Sequence, residues 1–324
     1  MNKTDMKRAL CETYRELLGV ILYFGGYMLL PQLRALCLAF GLYSSPQAVN
    51  RAVRELRAAE ILDRQTWVDN NSDLLLARKY AYCFFEDKTS QEIATPHHPS
   101  TMGPYIAQAR KIDWLLSLIQ RKGLTSLHDV HRYLTHCGCT VFLRLPELPE
   151  YYRQNCAIFA AEDPGPYIEQ TNRLEVLTAQ RAAIARAEPI PASDGGTPVT
   201  LELAHRRGVY IERIFPEKKT VRLALFAGLS TRPKRIMDWV IDTHMWIQTL
   251  MPCYRSLFVV YALSKAHRAS LRAGLTALAP NRSATPYYQD RLIAAHLDGN
   301  IKLAVTNTDF IAHWCGNIQA TNIF

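Results

Sequence analysis

Ser44-Ser45-Pro46-Gln47-Ala48-Val49-Asn50-Arg51-Ala52-Val53-Arg54-Glu55-Leu56-Arg57-Ala58 is the stretch on which the fold turns. Serine followed by proline marks a helix start. The serine oxygen can accept an orphan backbone N–H, and the N–H that proline lacks has no helical partner at the first position. Val49, Val53 and Leu56 recur at helical spacing and lead into Ile61-Leu62, which predicts an inward apolar stripe. Gln47, Asn50, Arg51, Arg54 and Arg57 fall on the other side. Amides and guanidiniums on one helical face suit both the hydrogen-bonding edges of bases and the charge of phosphate.

Working outward, residues 16–24 read as a helix closed by Gly25-Gly26, and Tyr27-Met28-Leu29 as a short extended segment. Pro31 opens a further helix through Phe40, and Gly41-Leu42-Tyr43 makes the turn into the quoted stretch. Downstream, residues 63–68 and 74–76 flank the turn Asp69-Asn70-Asn71-Ser72-Asp73, the pattern of a β-hairpin. This order predicts a winged helix-turn-helix over residues 1–93, with the helix after Ser45 lying in the major groove of double-stranded DNA. The expected contacts are Ser45, Gln47, Asn50, Arg51, Arg54 and Arg57, with Arg78 and Lys79 reaching the backbone from behind the hairpin. Asp69 and Asp73 would repel phosphate, so the hairpin tip is not expected to enter a groove.

Residues 23–33 (Tyr-Phe-Gly-Gly-Tyr-Met-Leu-Leu-Pro-Gln-Leu), the run from Val49 to Leu62, and Leu75-Leu76-Ala77-Arg78-Lys79 resemble the replication-relaxation family. His97-His98 followed by a helix is similar to that family's continuation. The resemblance covers the first region, and beyond it only the order of elements. It implies a winged-helix protein encoded on a plasmid or other mobile genetic element. For the C-terminal half it implies a restriction-endonuclease-like α/β outline.

Residues 94–198 read as a helical connector with loops. Helical patterns at 105–122, 127–137 and 170–187 are separated by breakers at Pro146-Glu147-Leu148-Pro149 and Pro164-Gly165-Pro166, and residues 189–198 read as a linker. Residues 199–324 alternate strand and helix. Strands at 209–214 and 220–229 are joined by a turn at Pro216-Glu217-Lys218-Lys219. A helix capped by Thr231 runs from Pro233 to Leu250, and a buried strand spans 257–263. Helices at 264–278 and 290–297 and a strand at 301–305 complete the pattern. Such alternation predicts an α/β domain with a largely parallel sheet. The fold class expected is thus a multidomain α+β and α/β chain: winged helix-turn-helix, helical middle region, C-terminal α/β domain.

The 324 residues are 48% hydrophobic and 21% charged, a globular composition. Of the net charge of +9, nearly all sits in residues 201–282, where 14 Lys and Arg meet 5 Asp and Glu. A basic field of that size favours a polyanion. Arg232, Lys234 and Arg235 crowd one helix start, while Lys265, Arg268 and Arg272 share a face of the next helix. Both helix starts are expected at the carboxyl edge of the sheet, as one secondary basic patch. The eight cysteines keep no framework spacing, and Met1 to Glu16 is charged throughout, so reduced thiols in a cytoplasm are expected. The most apolar run, residues 17–30, is shorter than the roughly 20 residues that cross a bilayer, so no membrane partner is expected.

Catalytic constellations are spelled weakly. A metal-dependent nuclease needs carboxylates and a lysine fixed on adjacent strands. Glu217-Lys218-Lys219 has the types but falls in a turn, and Glu202 and Glu212 lie on neighbouring strand-like segments. Asp238 and Asp242 share a helix facing Arg235 as an ion-pair surface. Relaxase chemistry wants a tyrosine beside His-x-His, whereas His97-His98 are adjacent, and Tyr151-Tyr152 and Tyr287-Tyr288 lack a placed histidine pair. His131, His136, Cys137 and Cys139 come nearest to a metal set. Cys137-Gly138-Cys139 is too tight for the usual chelate, however, and Cys156 adds one ligand at most. No catalytic residue, metal or cofactor is assigned.

The expectation is a non-enzymatic double-stranded-DNA-binding protein, a transcription regulator or a plasmid replication or mobilisation accessory, acting as a homodimer or with a partner protein. Two other readings stay open: a nuclease-like DNA-processing enzyme, and a scaffold that uses the winged helix for assembly.

Overall fold

A computed structural model describes residues 2–66, 73–96, 98–142, 199–228, 230–277 and, by its backbone, 301–307. It is an α+β structure with two small sheets, one antiparallel and one mixed. The chain divides into two compact units; among the described residues, 2–133 and 142 belong to the first and 134–141 and 199–307 to the second. The middle-region features expected within 143–198, the helix at 290–297, the hairpin tip and both tyrosine pairs lie outside the described residues.

The first unit begins with α1 (Lys3–Thr13), α2 (Arg15–Tyr23), β1 (Tyr27–Leu29), α3 (Leu30–Ala39) and α4 (Pro46–Ala58). It continues through β2 (Leu62–Thr66), β3 (Asp73–Ala77), α5 (Lys79–Glu86), α6 (Met102–Lys122) and the start of α7 (Leu127–His136). The sheet order is β1-β3-β2, antiparallel throughout, so β3 is central and Leu74, Leu75, Leu76 and Ala77 are all buried. Leu17, Leu18 and Ile21 from α2, Leu33 and Leu36 from α3, and Val49, Val53 and Leu56 from α4 fill the core beneath it.

Gly25 and Gly26 end α2 with φ of +97° and +84°, a region open to glycine at little cost. Their N–H groups close on Leu22 O and Ile21 O, and Gly26 O then accepts from Ala77 N at 2.7 Å, which starts the sheet. A Cβ on Gly26 would also collide with the Tyr82 hydroxyl. Gln32 is buried and donates to Ala109 O and Asp113 Oδ1, both at 2.7 Å, while its own oxygen takes Leu29 N. This clamp fixes α6 to the start of α3.

Two helices of this unit have no counterpart among the sequence-read elements. α1 is capped by Asn2, whose oxygen accepts Asp5 N, and it buries Cys11 alone. α5 follows β3 directly and buries Ala81, Cys83 and Phe85. Cys11, Cys37, Cys83, Cys137, Cys139 and Cys253 are free thiols, and burial pushes Cys11 and Cys37 up to about 12, leaving them protonated near neutrality.

The second unit runs α8 (Leu201–Arg206), β4 (Val209–Phe215), β5 (Thr220–Phe226), α9 (Pro233–Leu250), β6 (Arg255–Ala262), α10 (Lys265–Ala277) and β7 (Ile301–Asn307). Strand order is β4-β5-β6-β7. β5, β6 and β7 are parallel, as the alternating pattern predicted, but β4 is antiparallel to β5, so the sheet is mixed. The short link at Pro216–Lys218 permits only a hairpin there, since a parallel pairing needs a crossover of a dozen residues or more. Val221, Leu223, Leu225, Phe258 and Val260 face Ile236, Val240, Ile241, Ile247, Leu271 and Leu275, which places α9 and α10 on one side of the sheet. Gly274 allows their close approach, because a Cβ there would enter the Pro233 ring. Thr231 does not cap α9: its hydroxyl accepts Gly228 N at 3.0 Å, and Arg232 holds the cap position without a side-chain bond.

A bulge between Ile211 and Arg213 makes Glu212 the extra residue and returns Ile214, rather than Arg213, to the core face. The outer edge of β4 is covered: Thr140 N donates to Ile211 O at 2.8 Å, Ile211 N to Thr140 Oγ1 at 2.9 Å, and Ile214 N to Cys137 O at 2.9 Å.

His244 in α9 is 1% exposed, with Nδ1 2.8 Å from Ser256 Oγ, and burial pushes its pKa down to about 4. A histidine held neutral in the fold but protonated near pH 6.5 when unfolded contributes stability at neutral pH that is lost as pH falls from about 6.5 towards 4. Unfolding free energies from urea titration are expected to fall further between about pH 7.5 and about pH 5 for the wild type than for His244→Gln, by an excess of roughly 1–2 kcal/mol. Equal losses in the two proteins would refute the assignment.

Candidate nucleic-acid interface

α4 is placed by its ends and its buried flank. Ser45 Oγ accepts Ala48 N at 3.3 Å, and Pro46 takes the first helical position. Val49, Val53 and Leu56 are at most 2% exposed. The crest opposite them carries Gln47, Arg51 and Arg54, all exposed. Asn50 and Arg57 are half-buried on one flank. The other flank carries Glu55, held by the Tyr14 hydroxyl at 2.5 Å. That bond to a carboxylate is the largest reason the Tyr14 phenol lies above its usual range. Among the described residues neither Arg51 nor Arg54 is in an ion pair. The Ser45 hydroxyl, expected among the DNA contacts, accepts the cap bond from Ala48 N.

Of the two hairpin aspartates expected to repel phosphate, Asp69 lies outside the described residues and Asp73 is ion-paired, with Arg64 Nε at 2.6 Å. Arg78, expected at the DNA backbone, is exposed and paired with Asp63 at 3.0 Å. The Arg64 N–H on the Asp63 carboxylate is the largest lowering influence on its pKa, and the Arg78 guanidinium adds to it. Lys79 is half-buried at the first position of α5. Glu60, just past α4, is held by Lys3 and Lys7 at 3.1 and 3.4 Å, so those two cations are spent within the fold.

Arg34 was not among the sequence candidates. It lies on α3, and its Nε donates to Asn50 Oδ1 at 2.7 Å. One sequence signal pointed to it: Arg34 is the sole Lys, Arg, Asp or Glu between Glu16 and Arg51.

In the second unit Arg232, Lys234 and Arg235 are exposed at the start of α9, and Lys265, Arg268 and Arg272 are exposed on α10. The two helices meet at Pro233 and Gly274, which lies in the second half of α10. The contact therefore joins the start of α9 to the later turns of α10 rather than to the other helix start.

The nuclease candidates are dispersed. Glu202 sits on α8, not on a strand, and pairs with Arg206. Glu217 is in the 3₁₀ turn after β4. Asp242 is buried and pairs with Arg207 at 2.9 Å, not with Arg235. Glu212 is held by Arg222 at 3.1 Å and accepts from the Tyr261 hydroxyl at 3.3 Å. His131 Nδ1 meets the Tyr23 hydroxyl at 2.9 Å, and His98 Nε2 meets Ala77 O at 3.0 Å. Among the described residues no group of three His, Cys, Asp or Glu could hold a metal ion, and no helix is long and apolar enough to cross a membrane. No family model, curated protein or solved structure matches the chain.

The crest and the buried flank of α4 make opposite demands on mutation. The double variant Arg51→Ala/Arg54→Ala is expected to keep stability within about 0.5 kcal/mol, since alanine favours helix and no contact is lost. Leu56→Ala is expected to cost roughly 2–5 kcal/mol through a core cavity. Urea unfolding measures both, and a large cost for the double variant would show that the arginines serve the fold.

Proposed function

We propose that the first unit is a winged helix-turn-helix that binds double-stranded DNA through α4. The observation that carries this reading is the division of that helix. Its apolar flank is buried, while Gln47, Arg51 and Arg54 stand exposed with neither guanidinium, among the described residues, spent on a carboxylate. Unneutralised arginines beside an exposed amide supply the two kinds of contact a duplex offers, phosphate charge and base edges. The element order β1-α3-α4-β2-β3 and the sheet order β1-β3-β2 support the winged-helix assignment, with β2 and β3 as the wing. Because Arg64 and Arg78 are paired with Asp73 and Asp63, the wing is assigned a supporting part and α4 the recognition.

The chain on this reading is a multidomain regulator or replication accessory of a bacterial mobile element, working in the cytoplasm as a homodimer or with a partner protein. Its placement near the replication-relaxation proteins rests on the motifs at residues 23–33, 49–62 and 75–79. The six exposed cations of α9 and α10 add sequence-independent phosphate contacts from the second unit.

Gel-shift titrations on duplex DNA flanking its own gene test both surfaces. Arg51→Ala/Arg54→Ala is expected to weaken binding at least about tenfold and to lower the slope of log affinity against log salt by about 2. Changing Lys234, Arg235, Arg268 and Arg272 to glutamate is expected to weaken binding uniformly across sequences and to flatten the salt dependence further. Wild-type affinity and slope in the first variant would end the proposal for α4; the same result in the second would end it for the basic surface.

A further inference from the structure

We infer that Arg34 is a positioning residue that turns Asn50 into a hydrogen-bond donor and so biases α4 towards guanine; the inference rests on the DNA-binding reading of that helix. A guanidinium has only N–H donors, so the Asn50 atom 2.7 Å from Arg34 Nε is the carbonyl oxygen, and the amide orientation follows from chemistry. An asparagine that reads adenine does so with both ends, Oδ1 accepting from N6 and Nδ2 donating to N7. Here Oδ1 already accepts a charge-assisted bond. The cation beside it repels a second donor such as the adenine amino group and, by polarising the amide, strengthens its NH₂ as a donor. Donors are what remains for the groove.

The neighbours on the helix act in the same sense. Arg51 and Arg54 on the crest are donors only, and half-buried Arg57 lies on the same flank as Asn50. Among these side chains Gln47 alone still offers an acceptor. A surface so rich in donors matches the guanine edge, where N7 and O6 both accept, better than the adenine edge, where N7 accepts and N6 donates. Arg34 is itself half-buried and at the margin of the crest, where its role is to hold Asn50.

Selection of duplexes from a random pool by the full chain tests this, with Asn50→Ala marking the base pair that Asn50 reads. The wild type is expected to prefer guanine at that pair. Arg34→Met is expected to shift the guanine-to-adenine ratio there by about tenfold towards adenine, the scale of one base contact, leaving other positions unchanged. Arg34→Lys, which keeps a cationic donor, is expected to restore much of the preference. Melting curves confirm that each variant is folded. Adenine at that pair in the wild type, identical base preferences in Arg34→Met, or a uniform loss of affinity across all sequences would each overturn the inference. Failure of the wild type to bind any duplex would remove the DNA-binding reading itself, and this inference with it.

Discussion

Val49, Val53 and Leu56 face one way, and everything else about the first unit's surface follows from where they go. Their burial on the side of α4 that meets α1, α3 and β2 sets the rotation of α4 about its own axis, and side chains at helical spacing on the other side have no alternative but solvent. Each fully buried aliphatic group of this kind is worth roughly 1.5–3 kcal/mol relative to exposure, far more than any surface contact an arginine could lose or gain. The orientation of Gln47, Arg51 and Arg54 is therefore decided by residues on the opposite, buried side of the helix. The Ser45 cap and Pro46 fix where the helix starts, and with it which turn comes nearest to a partner.

The charges of this unit are distributed by the same economy of position. Carboxylates at Asp63, Asp73, Glu60 and Glu55 each meet a donor close by in space: Arg78, Arg64, Lys3 with Lys7, and Tyr14. Exposed pairs of this sort add little stability, about 0–1 kcal/mol. Their consequence is electrostatic. They offset the carboxylates around α4, and among the described residues Arg51 and Arg54 on its crest take part in no ion pair. A count of charges along residues 1–200, with 22 basic against 21 acidic, conceals this, because neutrality over a segment says nothing about which cations are paired.

Legibility in the sequence followed the strength of the physical signal. α4, α9 and the buried strand β6 have a cap, a proline start or an unbroken apolar run, and α9 spans Pro233–Leu250 as read. α1 left no trace because it buries only Cys11; its start is set by the Asn2 cap, and Lys3 and Lys7 tie it to Glu60, none of which periodicity registers. The direction of β4 could be read only from the short connection after it, since a strand pattern is the same whichever way its partner runs. Side-chain partners were the least legible of all. Asp242 with Arg207 and Asn50 with Arg34 are separated by 35 and 16 residues, and no local rule pairs them. The exposure of Arg51 and Arg54 was readable; the engagement of Asn50 was not.

The two basic surfaces share a construction that bears on what they can touch. On α10 the exposed positions between Lys265, Arg268 and Arg272 are Ala266, Ala269 and Ser270, with Ala273 next to Arg272, and on α4 the crest ends at exposed Ala58. Small side chains between long cationic ones let a helix backbone come close to a partner while the guanidiniums reach past it, which a row of bulky neighbours would prevent. The surfaces differ in what accompanies the cations. α4 adds an exposed amide in Gln47 and a half-buried one in Asn50, whereas α9 and α10 offer no exposed Asn or Gln among their described positions. Cations alone answer to phosphate, whose charge is the same at every base pair; amides beside cations answer to base edges, which differ. On the proposed DNA-binding reading, sequence preference would belong to α4, and affinity supplied by α9 and α10 would be indifferent to sequence and sensitive to salt.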